Sequence, residues 1–460
     1  MRYFLSKYNF YVPYQSDSRV FLLFNTRTSN LCALNKDVFG KLKVLNENKH
    51  KTTFSLDELK MPSDIASVLI KNGFILTEDT DELAILKSVL LKGRYETTMI
   101  SLVIAPIMAC NFMCSYCFEA KEARDNAKSV MSIEVQDAII NYVKEQLTKY
   151  KIHSIVVDWY GGEPTLAMGV IERVSSKLID LAKDFGTHYQ AYIVTNGYLL
   201  TPDVVDKLAS LKISCPQITV DGPKEIHDSR RMLKSGAGTY DTIIKNLSYA
   251  AEKLGRIVLR MNVNKANYNA PLELYKELKD KDFFDKIVFS LGNVFCDGKG
   301  EINQVRFTEY FIDFLTKRGE NISSFLPTPK SNYCAADAVW AKMIGPFGEL
   351  YRCWEEFGNP DKVVGNLLTN KLNKLHYEYI TSTPFENESC TKCSFLPACM
   401  GGCPKFAIEN SDKKYRMCDT KKHLMHKIIS QYVNEQFSEE GDSVSCQDIN
   451  KEEVYETIKQ

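Results

Sequence analysis

Three cysteines stand close together in the run Cys110-Asn-Phe-Met-Cys114-Ser-Tyr-Cys117. The C-x3-C-x2-C spacing lets one short loop wrap three corners of a cubane iron–sulfur cluster. It supplies three thiolates where a closed cluster needs four, so one iron is left open to bind and activate a small molecule. Three thiols can also be structural, or can hold zinc, and the spacing alone does not choose between these readings. A second group follows far downstream: Cys334, Cys353, Cys390, Cys393, Cys399, Cys403 and Cys418. Its C-x2-C pair reads on its own as half of a zinc ribbon, but that reading leaves five ordered cysteines unexplained. Cys32, Cys215, Cys296 and Cys446 read as structural or incidental.

These residues need elements to position them. The run Thr98–Ala105 is rich in apolar and β-branched residues and stops at Pro106, which predicts a strand. The cysteine loop would then leave the C-terminal end of that strand, where α/β folds place their chemistry. An amphipathic helix is expected over Ser132–Tyr150 with Ser132 as N-cap. Further strands are expected over Ser154–Trp159, Gln190–Val194, Cys215–Val220, Arg256–Val263 and Lys286–Leu291, with helices such as Thr239–Leu254 and Asn269–Asp280 between them. Six βα units favour a parallel, partly closed barrel with right-handed crossovers. Polar groups cluster at the predicted strand ends. The second strand ends in Trp159-Tyr-Gly161-Gly162-Glu163-Pro164, the third in Thr195-Asn196-Gly197 and the fourth in Val220-Asp221-Gly222. His227-Asp-Ser-Arg230-Arg231 follows, and Arg260 and Asn262 on the fifth strand point to the same rim. Paired glycines let the backbone approach a ligand closely, and a nearby carboxylate accepts from an ammonium group. Asn-Gly and Asp-Gly are also ordinary turn formers.

The cysteine loop, with Tyr116 directly before its third cysteine, combined with Gly161-Gly162-Glu163 at the end of the second strand, resembles the radical S-adenosylmethionine (SAM) superfamily. The resemblance implies a partial (β/α)6 TIM-like barrel over residues 98–320. SAM would chelate the open iron through its amino and carboxylate groups, with Gly161, Gly162 and Glu163 at the amine. Asn196 would contact the ribose or carboxylate, and Asp221 and Arg230 would be further contacts. The downstream order, with Gly348-x4-Cys353, resembles the SPASM extension, here residues 330–420. That implies two auxiliary clusters. Cys390, Cys393, Cys399 and Cys418 would close one, and Cys334, Cys353 and Cys403 would hold the other, giving three 4Fe–4S clusters in all. Two departures stand out. Sulfatase-maturing members carry a catalytic aspartate where this chain has Trp354. A fourth cysteine that some members place between the positions of Cys334 and Cys353 is missing.

Such enzymes cleave SAM reductively to a 5′-deoxyadenosyl radical that removes hydrogen from unactivated C–H bonds. The implied activity is oxidative modification of a ribosomally made peptide, forming an intrapeptide thioether (C–S) or C–C cross-link. Sulfatase-maturase-like oxidation, or another protein side-chain modification, is the alternative. An iron–sulfur electron carrier or scaffold is the alternative of a different class. No catalytic acid or base is assigned from the sequence. The implied partners are a precursor peptide with a leader and a low-potential electron donor such as flavodoxin or ferredoxin.

Bulk properties agree with this class. The chain has 460 residues, 44% hydrophobic and 25% charged, with zero formal net charge. Neutrality disfavours bulk capture of nucleic acid. No apolar run reaches the ~18 residues that span a bilayer, and the first residues lack the apolar core of a signal peptide. Fourteen cysteines without a secretion signal point to metal ligation in a reducing cytoplasm. Residues 1–90 read as a small α+β module. Val20–Asn25 and Leu31–Leu34 form a hairpin across Thr26–Asn30, helices cover Lys36–Leu45 and Ser63–Lys71, and Gly73 is a C-cap. The pattern is similar to winged-helix-like precursor-recognition domains. Either hairpin strand would offer an edge to a leader peptide. Nine Lys/Arg against three Asp/Glu from Met1 to Lys51 would favour an acidic one. Residues 421–460 read as a helix and an acidic tail.

Overall fold

The computed structural model describes residues 1–14, 19–47, 53–117, 119, 130–296, 299–300, 302–331, 334–410 and 417–438. The chain divides into two compact units. One comprises Met1–Gly93, Gln304–Tyr333 and Ser382–Gln460, and the other Arg94–Asn303 and Cys334–Thr381.

The first unit opens with β1 (Tyr3–Leu5), β2 (Asn9–Pro13), β3 (Val20–Asn25) and β4 (Leu31–Asn35). The predicted hairpin is present as β3 and β4, with Leu22 opposite Ala33. The sheet order is β2–β3–β4, while β1 pairs antiparallel with β5 (Ile75–Thr77). Helices Lys36–Glu47 and Ser63–Lys71 bury Val38, Leu42, Ile65 and Leu69 against Leu23, Leu34 and Phe74. Asn72 is the C-cap of the second helix, and Gly73 follows it at φ +77°, a left-handed position that glycine takes without a Cβ penalty. One expectation is corrected: β3 is the central strand, paired on both sides, so it has no edge to offer. Only β4 of the two hairpin strands is an edge. Residues 1–90 also share a core with later sequence. Tyr8, Leu86 and Leu90 pack with Leu396 and Met400. The Thr26 hydroxyl donates to the Ser394 carbonyl at 2.6 Å, and the Tyr14 hydroxyl to Asn434 Oδ1 at 2.7 Å. The expected C-terminal helix is Met425–Ser438. The acidic tail beyond it, with Cys446, lies outside the described residues.

The second unit is built on a sheet in which six successive strands are parallel and follow chain order. They are β6 (Met99–Ile104), β7 (Ser154–Trp159), β8 (His188–Thr195), β9 (Gln217–Thr219), β10 (Ile257–Val263) and β11 (Ile287–Asn293). Helices Ile133–Lys149, Met168–Asp184, Pro202–Ser210, Tyr240–Leu254 and Ala270–Leu278 connect strands of the set. The Ser132 hydroxyl accepts from Val135 N–H, the predicted cap. Along β7 the residues Ile155, Val157 and Trp159 are buried and their neighbours half-buried, the period of two that a strand imposes. β11 and β6 do not pair, so the barrel is open. After β11 comes a ribbon of β12 (Phe295–Cys296) and β13 (Lys299–Gly300).

The sheet then grows at the β6 edge in a way the sequence did not foretell. β14 (Ala341–Ile344) lies parallel to β6, and β15 (Glu349–Tyr351), β16 (Gly365–Asn366) and β17 (Lys371–Leu372) continue it antiparallel, giving ten strands. Strands of two to four residues are too short to show a periodicity. Among the described residues no helix is long and apolar enough to cross a membrane.

Candidate active site

Beyond β6 the chain drops onto the end of β7. Gly162 N–H donates to the Ile107 carbonyl at 3.2 Å, and Glu163 N–H to that of Ala109 at 2.9 Å. A Cβ at Gly162 would sit 2.3 Å from the carbonyl oxygens of both Met108 and Ala109. Gly161 takes φ +103°, and a Cβ there would lie 2.6 Å from the Ile107 oxygen. The close approach that these two glycines admit is made by the stem of the cysteine loop. On its far side the loop is tied to the segment after β9. Met113 N–H bonds the Met232 carbonyl at 2.9 Å, Ser115 N–H that of Arg230 at 3.1 Å, and Lys234 N–H that of Asn111 at 3.0 Å. The loop is therefore held at both flanks by backbone. Cys110 Sγ accepts from Phe112 N–H at 3.4 Å. Burial, reinforced by the Glu163 charge, pushes its thiol up to about 12.

The Glu163 carboxylate is fully buried. It accepts from Thr165 N–H at 3.1 Å, Thr165 Oγ1 at 2.5 Å, Thr195 Oγ1 at 2.7 Å and Asn196 N–H at 2.7 Å. Three of these donors reach Oε1 and one reaches Oε2, which keeps a second acceptor site. Burial raises its pKa while these donors oppose the rise. In this structure Glu163 braces β7 to β8. Asn196 then reaches the cysteine loop, its Nδ2 donating to Asn111 Oδ1 at 2.8 Å while its Oδ1 accepts from Tyr198 N–H.

Asp221 is also fully buried, accepting from Arg230 Nε at 3.2 Å and Asn262 N–H at 2.9 Å. Arg230 donates further to Asn264 Oδ1 and to the Asn262 carbonyl and lies 4.8 Å over the Tyr116 ring. The Tyr116 hydroxyl accepts from Arg231 at 2.7 Å and from Asn262 Nδ2 at 3.1 Å. Arg260 turns to Ser290, Leu291 and Asn262. Hydrogen bonds thus link the cysteine loop, Glu163, Asn196, Asp221 and Arg230 into one rim at the C-terminal strand ends. Asn111 and Arg231 join that rim as well. Asn111 carried no signal of its own in the sequence, and Arg231 only its place in the Asp221–Arg231 stretch.

A second feature of the same unit is Tyr160, directly before the glycine pair. Its ring meets Trp354 edge-on at 4.8 Å and Phe357 at 5.6 Å. Burial, then the charges of Glu119, Cys117, Glu355 and Cys353, raise its phenol well above the usual range. Tyr160 therefore lies within electrostatic reach of both Cys117 and Cys353. Its place at a strand end, directly before the glycine pair, is its signal in the sequence. Cys334 opens the segment before β14, its sulfur accepting from Ala336 N–H at 3.4 Å.

The other unit carries Cys390, Cys393, Cys399, Cys403 and Cys418. Cys393 N–H bonds the Cys390 carbonyl at 3.0 Å; burial lowers the Lys422 pKa, but the nearby thiols of Cys393, Cys418 and Cys399 outweigh it and raise it. No disulfide forms among the twelve cysteines whose side chains are described. Among the described residues no three His, Cys, Asp or Glu side chains converge tightly enough to hold a single metal ion. A cubane takes each thiolate at a different iron, so cysteines spread along a pinned loop suit it.

Residues 104–278 match the radical SAM superfamily. The chain is similar to the radical SAM cyclopropyl synthase TigE of Paramaledivibacter caminithermalis, 24% identical over 91% of this chain and 94% of that protein. It is 26% identical to a cysteine-type anaerobic sulfatase-maturating enzyme of Clostridium perfringens over 73% of this chain and 98% of the relative. Its fold resembles that of Streptococcus suis SuiB bound to its precursor peptide SuiA. The TM-score is 0.51 at 18% identity, covering 91% of this chain and 99% of that one.

Proposed function

The chain carries a radical SAM domain over residues 104–278, and from that premise we propose that it oxidatively modifies a ribosomally made peptide. The product would be an intrapeptide C–S or C–C bond. The pinned cysteine loop is the observation that carries this reading. Cys110, Cys114 and Cys117 would hold a 4Fe–4S cluster, and the rim of Gly161, Gly162, Glu163, Asn196, Asp221 and Arg230 would receive SAM. When bound, the pair supplies a 5′-deoxyadenosyl radical able to abstract hydrogen from unactivated carbon. The chain's own part is positional. The Gly161-Gly162 turn and the 230–234 segment fix the loop, the Glu163 and Asp221 networks hold the strand ends, and Tyr160 with Trp354 walls the space beside Cys353 against water.

Relatives support the substrate class. TigE is named a cyclopropyl synthase, and a cyclopropyl ring closes by a C–C bond. SuiB is seen with a precursor peptide. Auxiliary clusters on the Cys334, Cys353, Cys403 set and on the Cys390, Cys393, Cys399, Cys418 set would accept the electron that bond formation releases. A reducing cytoplasm and a low-potential donor such as flavodoxin or ferredoxin would serve these clusters. Oxidation of the sulfatase-maturase type is the second reading. It is favoured by the carboxylates of Glu119 and Glu355 beside Tyr160, which could replace the base lost at Trp354.

The test is anaerobic reconstitution. Iron and sulfide should approach three clusters per chain. Replacing Cys110, Cys114 and Cys117 together with Ala should remove one cluster and all deoxyadenosine formation. Deoxyadenosine from that triple variant would sink the proposal. Mass spectrometry with a carbonyl-reactive probe separates the two chemistries: loss of two hydrogens without a probe adduct marks a cross-link, and a probe adduct marks the aldehyde of the second reading.

A further inference from the structure

Arg352 stands directly before Cys353 at the end of β15 and is 3% exposed. Its guanidinium is directed back at the segment that Cys334 opens. Nε donates to the Ala336 carbonyl at 2.7 Å, Nη1 to Ala341 at 3.0 Å, and Nη2 to Ala335 at 3.2 Å and Ala338 at 2.6 Å. Four carbonyls of one short segment are gathered by one side chain. The carboxylate inside that segment, Asp337, is turned to Arg94 at 2.8 Å, both side chains being buried. Among the described residues Arg352 forms no ion pair of its own. Buried charges are paired or they are costly, and carbonyl dipoles supply only part of what a carboxylate would. Asp337, Cys334, Tyr379 and Glu356 face its charge, and of these the Cys334 thiol is the group that cluster ligation would turn into a thiolate. Cys353 is held in turn, its N–H bonding Glu356 Oε2 at 3.1 Å while Tyr379 donates to Glu356 Oε1 at 2.6 Å.

We propose that Arg352 is the positioning residue of the first auxiliary cluster. It fastens the Cys334 segment to the Cys353 strand end, and it provides the buried positive charge opposite the thiolates of a 4Fe–4S cluster. This rests on the reading of Cys334 and Cys353 as cluster ligands. A fixed cation beside a cluster stabilises the more negative, reduced state and so raises the reduction potential. Arginine does what lysine does not here, because only its planar fork reaches several carbonyls at once. The charge also selects among occupants, since neutral thiols would leave it unpaired and a thiolate-ligated cluster would not.

The experiment compares Arg352→Gln, Arg352→Lys and the Cys334→Ala/Cys353→Ala double variant with the full-length reconstituted protein. Iron content, potentiometric titration followed by EPR, and the rate of iron loss to a chelator are measured. The double variant should lose one cluster's share of iron. If its iron is unchanged, the ligand reading falls and this inference falls with it. With that loss in hand, Arg352→Gln should shift one reduction potential in the negative direction while the cluster of Cys110, Cys114 and Cys117 keeps its signal. Unshifted potentials with full iron would overturn the role of Arg352 alone. If the glutamine variant does not fold, the lysine variant decides. It keeps the charge and loses the fork, so iron should leave several-fold faster at a near-native potential. A native rate of loss would count against the positioning role.

Discussion

Glu163 is the residue where chemistry and architecture meet most tightly. Its carboxylate accepts four hydrogen bonds with no exposed surface. Glu163→Gln replaces an acceptor oxygen by a donor that faces other donors. It should lower unfolding stability by about 1–3 kcal/mol, measured by urea denaturation, and SAM affinity should fall with it. Weaker SAM binding at native stability would instead mean that the carboxylate meets the ligand directly. His227 offers a pH test. Its Nδ1 accepts from Asp221 N–H at 3.3 Å. Nε2 lies 3.0 Å from Thr239 Oγ1, whose hydroxyl donates to the Arg231 carbonyl, so the ring carries its proton on Nε2. A second proton would face the Asp221 N–H. Burial, then the Arg231 and Arg230 charges, push the pKa down to about 3. The unfolded chain takes up that proton near its ordinary value of about 6.5, so stability is complete above that pH and declines as pH falls toward the native value. The slope is on the order of 1.4 kcal/mol per pH unit. Urea midpoints between about pH 7.5 and 5 should show this decline, and His227→Gln should flatten it.

At the scale of elements, the cysteine loop depends on the turn after β7 as much as on its own residues. Gly162→Ala would drive a Cβ into two backbone carbonyls at 2.3 Å, and neither can move without shifting the stem that leads to Cys110. The loop should therefore lose its cluster even though all three cysteines remain. Iron content should drop by one cluster's share and deoxyadenosine formation should stop. An unchanged iron content in a soluble Gly162→Ala protein would show that the stem adapts freely. The same logic accounts for β14. Pairing parallel to β6 from Ser101 to Ile104 ties the segment between Cys334 and Cys353 to the strand that launches the cysteine loop.

For the molecule as a whole, the N-terminal module is part of a larger core. Deleting residues 1–90 would uncover Leu396 and Met400, which flank Cys399, so iron should fall along with peptide modification. Such a deletion cannot isolate leader recognition. Salt can. If an acidic leader is drawn to the basic N-terminal stretch, its dissociation constant should rise steeply between low and physiological ionic strength, while an interaction of apolar origin would hardly change. Isothermal titration with a synthetic leader at several salt concentrations makes that measurement. Protection of β4 amides from hydrogen exchange on binding would locate the contact at the sheet edge.

Local chemistry was legible in the chain wherever a property is carried by neighbours in sequence. The strand Ser154–Trp159 and helix Ser63–Lys71 have the expected bounds, and the Ser132 cap is in place, because alternation, amphipathic spacing and capping are all short-range. The strand-end residues were legible for the same reason, since a run of apolar residues followed by Gly-Gly-Glu or Asp-Gly marks its own end. Which partner each of them meets was decided only by tertiary structure. Glu163 is satisfied from β8, 32 and 33 residues away, and the glycine pair receives the loop stem that strand pairing brings beside it. The two- to four-residue strands β14 to β17 exist because β6 offers an edge to pair with, and nothing within them announces it. The core shared by Tyr8, Leu86 and Leu396 likewise joins ends of the chain. Periodicity reports which residues prefer burial, but the surface that buries them is chosen by folding.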